Sequence, residues 1–336
     1  MAHELERGSD GVWHMAYTGE VPWHGLGKKV PHDLTPQQMA EAAGADWRIY
    51  RKPLTYTPNG DPDARYDSGR DALLRETDDA LMDIVTRDWN EIQNEEAFEF
   101  FNDWVSTGEM SMETAGVLRG GQIVWALAKT HDSIELFRKD KIDSYMLFTN
   151  PHMYGWTASV SWSAIRVVCM NTLVASLTGT QKDKVIKISH RRKFDADEVK
   201  ATLGVAKEKL AKYKVMANHL GSKKASTEDV IEYFKRVFPV LNTPGTRKDP
   251  ERKVKEISKN AKIAFDILET QPGAEFARGT WWQPFNAVTF LLDHTAGRND
   301  DNRLYSAWYG ENRRKKFAAL ELATEYAEAG DGVAIG

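Results

Sequence analysis

Cysteine is nearly missing from this chain. Cys169 stands alone among 336 residues, which excludes an internal disulfide framework and any multi-cysteine zinc centre. A reducing, cytoplasmic setting is the expectation that follows. Long apolar runs are missing too: no stretch approaches the roughly 18 residues that a membrane span requires. The opening MAHELERGSDGVW carries no apolar segment of the signal-peptide kind, so no membrane partner is expected. Familiar catalytic signatures are also absent. GLGKK at 25–29 has neither the spacing of a phosphate-cradling loop nor a helix after it, and there is no strand-GxGxxG-helix, HExxH or GxSxG. Nine histidines are scattered with none at helical i, i+4 spacing. No metal and no cofactor are expected, and a non-catalytic protein is the favoured class. Cys169 reads as a buried, inert thiol.

What is present is an ordinary globular composition, 41% hydrophobic and 28% charged, with an uneven distribution of sign. The net charge is only −4. Residues 61–116 hold four Lys/Arg against 16 Asp/Glu, a balance of −12, whereas residues 181–262 hold 22 against 11, a balance of +11. Such asymmetry points to a polyanionic partner for the basic part.

Local patterns give a coarse fold. Thr35-Pro36 opens a helix, Thr as N-cap and Pro in the first turn. DWRIYRKPLTYT (46–57) alternates as a strand, PNGDPD turns, and 72–76 and 81–87 are short strands. Asn94 begins a helix whose stripe is Phe98, Phe101 and Val105. ETAGVLRGGQIVWALA is a hairpin about Gly120-Gly121, and two further strands flank Asn150-Pro151. After Ser163 the apolar residues take a helical period, placing Arg166 in a first turn. VIKIS is a strand, and helices follow at about 195–219, 227–238, 250–271, 281–295 and 311–329. The expected class is α+β: an antiparallel sheet with segregated helices, a helix-hairpin-strand-strand-helix core, then a mostly helical carboxy-terminal region. The expected divisions are an irregular arm at 1–34, a core at 35–190 and a helical region at 191–336, with PVLNTPGTRKDP as a linker.

The blocks PWHGLG (22–27), EIQNEEAFEFF (91–101), ETAGVLRGGQIVWALA (113–128), IRVVCMNTL (165–173) and GTWWQPFNAVTFLLDH (279–294), in this order, resemble the phage- and plasmid-encoded family catalogued as domain of unknown function 932. The resemblance spans nearly the whole chain and implies a mobile-element context without a mechanism. The αβββα order of the core is similar in topology to single-strand annealing recombinases of the Rad52 and Redβ kind.

The favoured function is therefore nucleic-acid binding, single-stranded DNA above all, in annealing or as a recombination accessory, by a homo-oligomer. The candidate contacts are Arg166, His190, Arg191, Arg192, Lys193, Lys207, Lys212, Lys214, Lys223 and Lys224, cations suited to phosphates. Arg166 at a helix start would oppose the helix dipole unless an anion sat there. Phe194, Tyr213, Tyr233 and Phe234 adjoin basic residues and are candidates for base stacking. Two alternatives remain. One is an enzyme of nucleic acids or nucleotides with a site drawn from His14, Trp23, His24 and Asp293-His294. The other is a host-interaction or structural protein that docks through its acidic segment.

Overall fold

The computed structural model describes residues 5–8, 11–19, 26–61, 63–137, 140–166, 171–173, 186–203, 206–240, 257–295, 306 and 310–329. Cys169, Trp23, His24 and most of the expected linker lie outside these. The chain divides into two compact units: Met1–Asp132 with Ser144–Ser163 and Thr178–Lys207, and Ser133–Asp143 with Ala164–Leu177 and Glu208–Gly336. The α+β class is as expected.

The main sheet, most of it in the first unit, is built from β1 (Met15–Tyr17), β2 (Lys28–Lys29), β6 (Met110–Leu118), β7 (Ile123–Leu136), β8 (Asp140–Pro151), β9 (Ala158–Arg166) and β11 (Ile186–Ile188). Their order is β9-β8-β7-β6-β1-β2, with β11 also on β9. The arm expected to be irregular thus supplies two strands. β1 pairs antiparallel with β6 through Ala16↔Ala115 and parallel with β2 through Ala16↔Lys28. The β6-β7 hairpin closes Leu118 against Ile123. Its turn needs left-handed backbone at Arg119, Gly120 and Gly121, which is the use of the glycine pair there.

A second sheet holds β3 (Ile49–Tyr56), β4 (Tyr66–Arg75) and β5 (Leu81–Thr86) in the order β3-β4-β5. Helix α1 (Pro36–Ala42) starts on a capping box: the Gln38 amide donates to Thr35 Oγ1 (3.2 Å) and the Thr35 amide to Gln38 Oε1 (2.9 Å). The expected helix after Asn94 is two short ones, α2 (Asn94–Glu99) and α3 (Asn102–Ser106). The break lets Phe98, Phe100 and Phe101 all turn inward. Phe100 meets Phe148 (5.2 Å between centroids), and Phe194 stands edge-on to Phe148 at 5.8 Å. Each such buried ring contributes roughly 1.5–3 kcal/mol.

After Ser163, where a helix is expected, the described residues are strand. Residues 163–166 continue strand β9, and Asn171–Leu173 form β10, antiparallel to it with Asn171 opposite Arg166. Both faces of AIRVVCMNTLV are apolar, and periodicity alone does not separate a buried strand from a buried helix. The closing helix of the αβββα order is therefore not found at 163–166 or 171–173.

The second unit is mainly helical: most of α5 (Ala206–Ser222), then α6 (Thr227–Val237), α7 (Lys259–Asp266), α8 (Trp282–Phe290), a π-helical turn at Leu291–Thr295 and α9 (Glu311–Ala329). A shorter helix, α4 (Ala196–Leu203), precedes these in the first unit. Tyr213, Tyr233, Phe234, Trp281 and Trp282 are buried, and the Tyr233 hydroxyl donates to the Ala319 carbonyl (3.1 Å). The tip of the β7-β8 hairpin belongs to this unit. Its Phe137 lies 5.8 Å from Trp282, whose indole N–H donates to Asp140 (3.2 Å).

Gly221 of α5 is the floor under Phe137, because a Cβ there would come within 2.2 Å of the ring. Replacing Gly221 by Ala forces the ring or helix to shift and is expected to destabilise the unit by about 1–3 kcal/mol. Chemical denaturation monitored by tryptophan fluorescence checks this. A gain in stability, as for an ordinary helical glycine, would contradict the packing.

Candidate nucleic-acid interface

Several candidate contacts lie elsewhere than their sequence pattern implies. Arg166 ends a strand, so the argument from the helix dipole does not apply to it. His190 is 3% exposed, with its ring stacked on Trp89 at 4.2 Å, and it is no surface cation. Its Nδ1 donates to the Asn90 carbonyl (2.8 Å), and burial pushes its pKa down. Arg191, Arg192 and Lys193 are exposed. Arg192 pairs with Glu198 (3.1 Å). Lys212, Lys214 and Lys224 are exposed and Lys223 is half-buried; Lys207 lies in the first turn of α5. These cations fall in different units, with 191–193 and Lys207 in the first and 212–224 in the second. Of the proposed stacking rings, Tyr213, Tyr233 and Phe234 are core, and Phe194 is partly buried among other rings. Aromatic residues at helical spacing face the core because burial of so large an apolar surface outweighs a contact held in reserve.

A different surface carries exposed aromatics. Residues directly opposite in an antiparallel pair share a face, and successive residues alternate. The registers Tyr50↔Leu74, Lys52↔Ala72, Leu54↔Arg70 and Tyr56↔Tyr66 therefore define one face of the β3-β4 ribbon, continued on β5 by Ala72↔Ile84 and Arg70↔Thr86. Two extra residues, Ser68 and Gly69, bulge out between the last two β3-β4 registers. Gly69 supplies a left-handed φ of 72°, and Ser68 Oγ donates to the Leu54 carbonyl (2.6 Å). The face presents Lys52, Tyr56, Tyr66 and Arg70 to solvent.

Tyr56 and Tyr66 are 55% and 54% exposed, yet they stack at 5.9 Å with 29° between planes. Arg70 stands over the ring of Tyr154 at 5.7 Å. Tyr154 is 44% exposed and is held by its amide donating to Asp83 (2.8 Å). Trp156, 36% exposed, follows in the same loop. Apart from Val12, the exposed large apolar side chains of the first unit, among the described residues, are Tyr56, Tyr66, Leu81, Tyr154 and Trp156.

No strand carboxylate stands in the register of this face, although the segment is strongly acidic; Asp79, from the β4-β5 turn, accepts from the Tyr50 hydroxyl (2.6 Å). Alternation sends Asp67, Asp71 and Asp83 to the other side. There Asp71 meets Arg51 (2.9 Å) and Asp67 pairs with Arg87. The amide of Gly69 and the Arg87 guanidinium hold the Asp67 carboxyl below the usual range. The inward residues Leu73 and Val85 are fully buried. The ribbon thus has one face with paired ions, packed at Leu73 and Val85 and exposed at the Asp67-Arg87 pair, and an outer face with rings and two cations.

Of the residues named for an enzyme, His14, Asp293 and His294 are described, and each makes contacts within the fold. His14 bonds Glu6 (3.3 Å), and Glu6 also meets Arg75 (2.6 Å). Asp293 accepts from Lys316 (2.7 Å), both buried. The His294 ring lies tilted beside Phe290 with centroids 4.6 Å apart. Among the described residues no group of three or more His, Cys, Asp or Glu is placed to hold a metal ion, and no helix is long and apolar enough to cross a membrane.

The sequence model described as Domain of unknown function (DUF932) matches residues 81–308, and the chain belongs to that family. No curated protein and no solved structure matches it. Tyr154, Trp156 and β5 lie within the matched segment, whereas Tyr56, Tyr66 and Arg70 precede it.

Proposed function

We propose that the protein is a non-catalytic binder of single-stranded nucleic acid, and that unpaired bases stack on the outer face of the β3-β4-β5 sheet. The exposed, mutually stacked Tyr56-Tyr66 pair beside the Arg70-Tyr154 pair carries this reading. A contiguous exposed patch of rings marks an interaction site more than scattered ones do, and rings interleaved with guanidinium and ammonium groups suit bases joined by phosphates. The bases of a duplex, already stacked on one another, offer no free faces to such a platform. The proposal stops at binding. Annealing rested on a core order ending in a helix, where residues 163–166 and 171–173 are strands.

The test is fluorescence polarisation with a labelled oligothymidylate and a duplex competitor at several salt concentrations. Single strands are expected to win. With Lys52 and Arg70 the two cations of the face, log affinity should fall with log salt at a slope of about −1.4, at ~0.7 per phosphate contact. Equal competition by duplex, or no binding in dilute salt, overturns the proposal. A far steeper slope transfers the site to the basic clusters at Arg191–Lys193 or on α5.

A further inference from the structure

The loop between β5 and α2, Trp89-Asn90-Glu91-Ile92-Gln93-Asn94, fastens the ribbon to the rest of the first unit. On the ribbon side the Asn94 amide group donates to the Trp47 carbonyl (3.1 Å). Gln93 pairs with Ile49 as a strand would, accepting from its amide (3.0 Å) and donating to its carbonyl (3.0 Å). Arg51 donates to the Trp89 carbonyl (2.8 Å). On the other side Asn150 donates to the Ile92 carbonyl (2.8 Å) and His152 Nε2 lies 2.9 Å from Asn94 Oδ1. His190 is joined to Asn90 in both directions, since Asn90 Nδ2 donates back to the His190 carbonyl (3.0 Å).

These bonds set the tautomers. Asn94 Oδ1 can only accept, so His152 carries its proton on Nε2. The Asn90 carbonyl likewise requires the proton of His190 on Nδ1. The remaining nitrogens, His152 Nδ1 and His190 Nε2, are buried lone pairs with no described partner. A second proton on either ring therefore creates a buried cation without an acceptor.

The charged groups nearby give little relief. Arg75 lies over the Trp47 ring (5.4 Å) that His152 also touches (5.3 Å). Arg51, with Asp71 and Glu91, adjoins Trp89, and Asp88 and Arg191 flank the loop. No described carboxylate bonds either histidine.

We infer that this loop is an acid-sensitive clasp, locked by neutral His152 and His190, whose opening frees the ribbon and releases whatever strand its outer face holds. The release half rests on the nucleic-acid reading above. Burial, then the neighbouring His190, lowers the pKa of His152 to about 3, and burial lowers that of His190. The open loop returns both to the free-imidazole value near 6.5. Closure is therefore at full strength above about pH 6.5 and is lost progressively as pH falls towards about 3. His152 alone shifts the opening equilibrium about 30-fold between neutrality and about pH 5.

The experiment pairs hydrogen exchange of residues 88–95, corrected for intrinsic rates, with oligothymidylate affinity from about pH 7.5 down to about pH 5. Faster exchange at the loop and a parallel fall in affinity are expected. The fall runs against general electrostatics, which strengthens phosphate binding as a protein gains positive charge in acid. The double substitution His152→Gln/His190→Gln should flatten both curves; if that variant does not fold, the wild-type pair of curves still decides. A loop whose exchange ignores pH overturns the clasp. A loop that opens while affinity at the same pH is unchanged overturns the release. Absence of binding at about pH 7.5 overturns the nucleic-acid reading and the release with it, while the exchange curve still judges the clasp.

Discussion

Replacing Lys316 by Met is expected to cost the helical unit about 3–5 kcal/mol, the range for breaking a buried ion pair by removing one partner. Lys316 is 2% exposed and its ammonium donates to Asp293 Oδ1 at 2.7 Å, with Asp293 5% exposed. The substitution removes the ammonium that donates to this carboxylate of the π-helical turn. Calorimetry should show Tm lower by roughly 6–20 °C, at about 2–4 °C per kcal/mol for a unit of this size. Removing the carboxylate as well, in Lys316→Met/Asp293→Leu, should recover most of the loss, since breaking a buried pair from one side costs more than removing both charges. An unchanged Tm for Lys316→Met would show that the pair is not closed off from water.

The second large effect is on binding. Tyr56→Ser/Tyr66→Ser removes both rings of the stacked pair from an exposed ribbon, so the fold should be indifferent to it. Stacking contributes about 1–3 kcal/mol per base, and losing one base from each ring predicts a fall of at least about 30-fold in oligothymidylate affinity. The salt slope should stay as it was, because Lys52 and Arg70 are untouched. Arg191→Ala/Arg192→Ala serves as the contrast: Arg192 is already paired with Glu198, and the substitution should change affinity less than threefold, well under 1 kcal/mol. The reverse ranking would return the site to the basic run.

Sequence and structure agree where local chemistry dominates. The capping box at Thr35, the Gly120-Gly121 hairpin and the α+β class follow from turn and cap preferences that act over three or four residues. Disagreement arises where a distant partner decides. IRVVCMNTL is apolar on both faces, so whether it is strand or helix depends on what pairs with it, and Asn171 pairs with Arg166. His190 sits in a run of cations, HRRK, yet its ring stacks on Trp89, about a hundred residues away. The aromatic face was hidden by its own segment. Counting charge over 61–116 gives a strong negative balance, but a strand sorts alternate residues to opposite sides, so the acids of β4 pair on one face while Tyr66 and Arg70 stand on the other. A count taken at every second residue of TYTPNGDPDARYDSGR would have shown this; a count along the segment averages it away.

Photocrosslinking maps the interface most directly. An oligonucleotide carrying 5-iodouracil forms adducts with rings stacked on it, and mass spectrometry reads the modified peptide. The account predicts adducts on Tyr56, Tyr66 or Tyr154, suppressed by unlabelled single strand and untouched by duplex. Adducts confined to the helical unit, or none at saturating oligonucleotide, would contradict it.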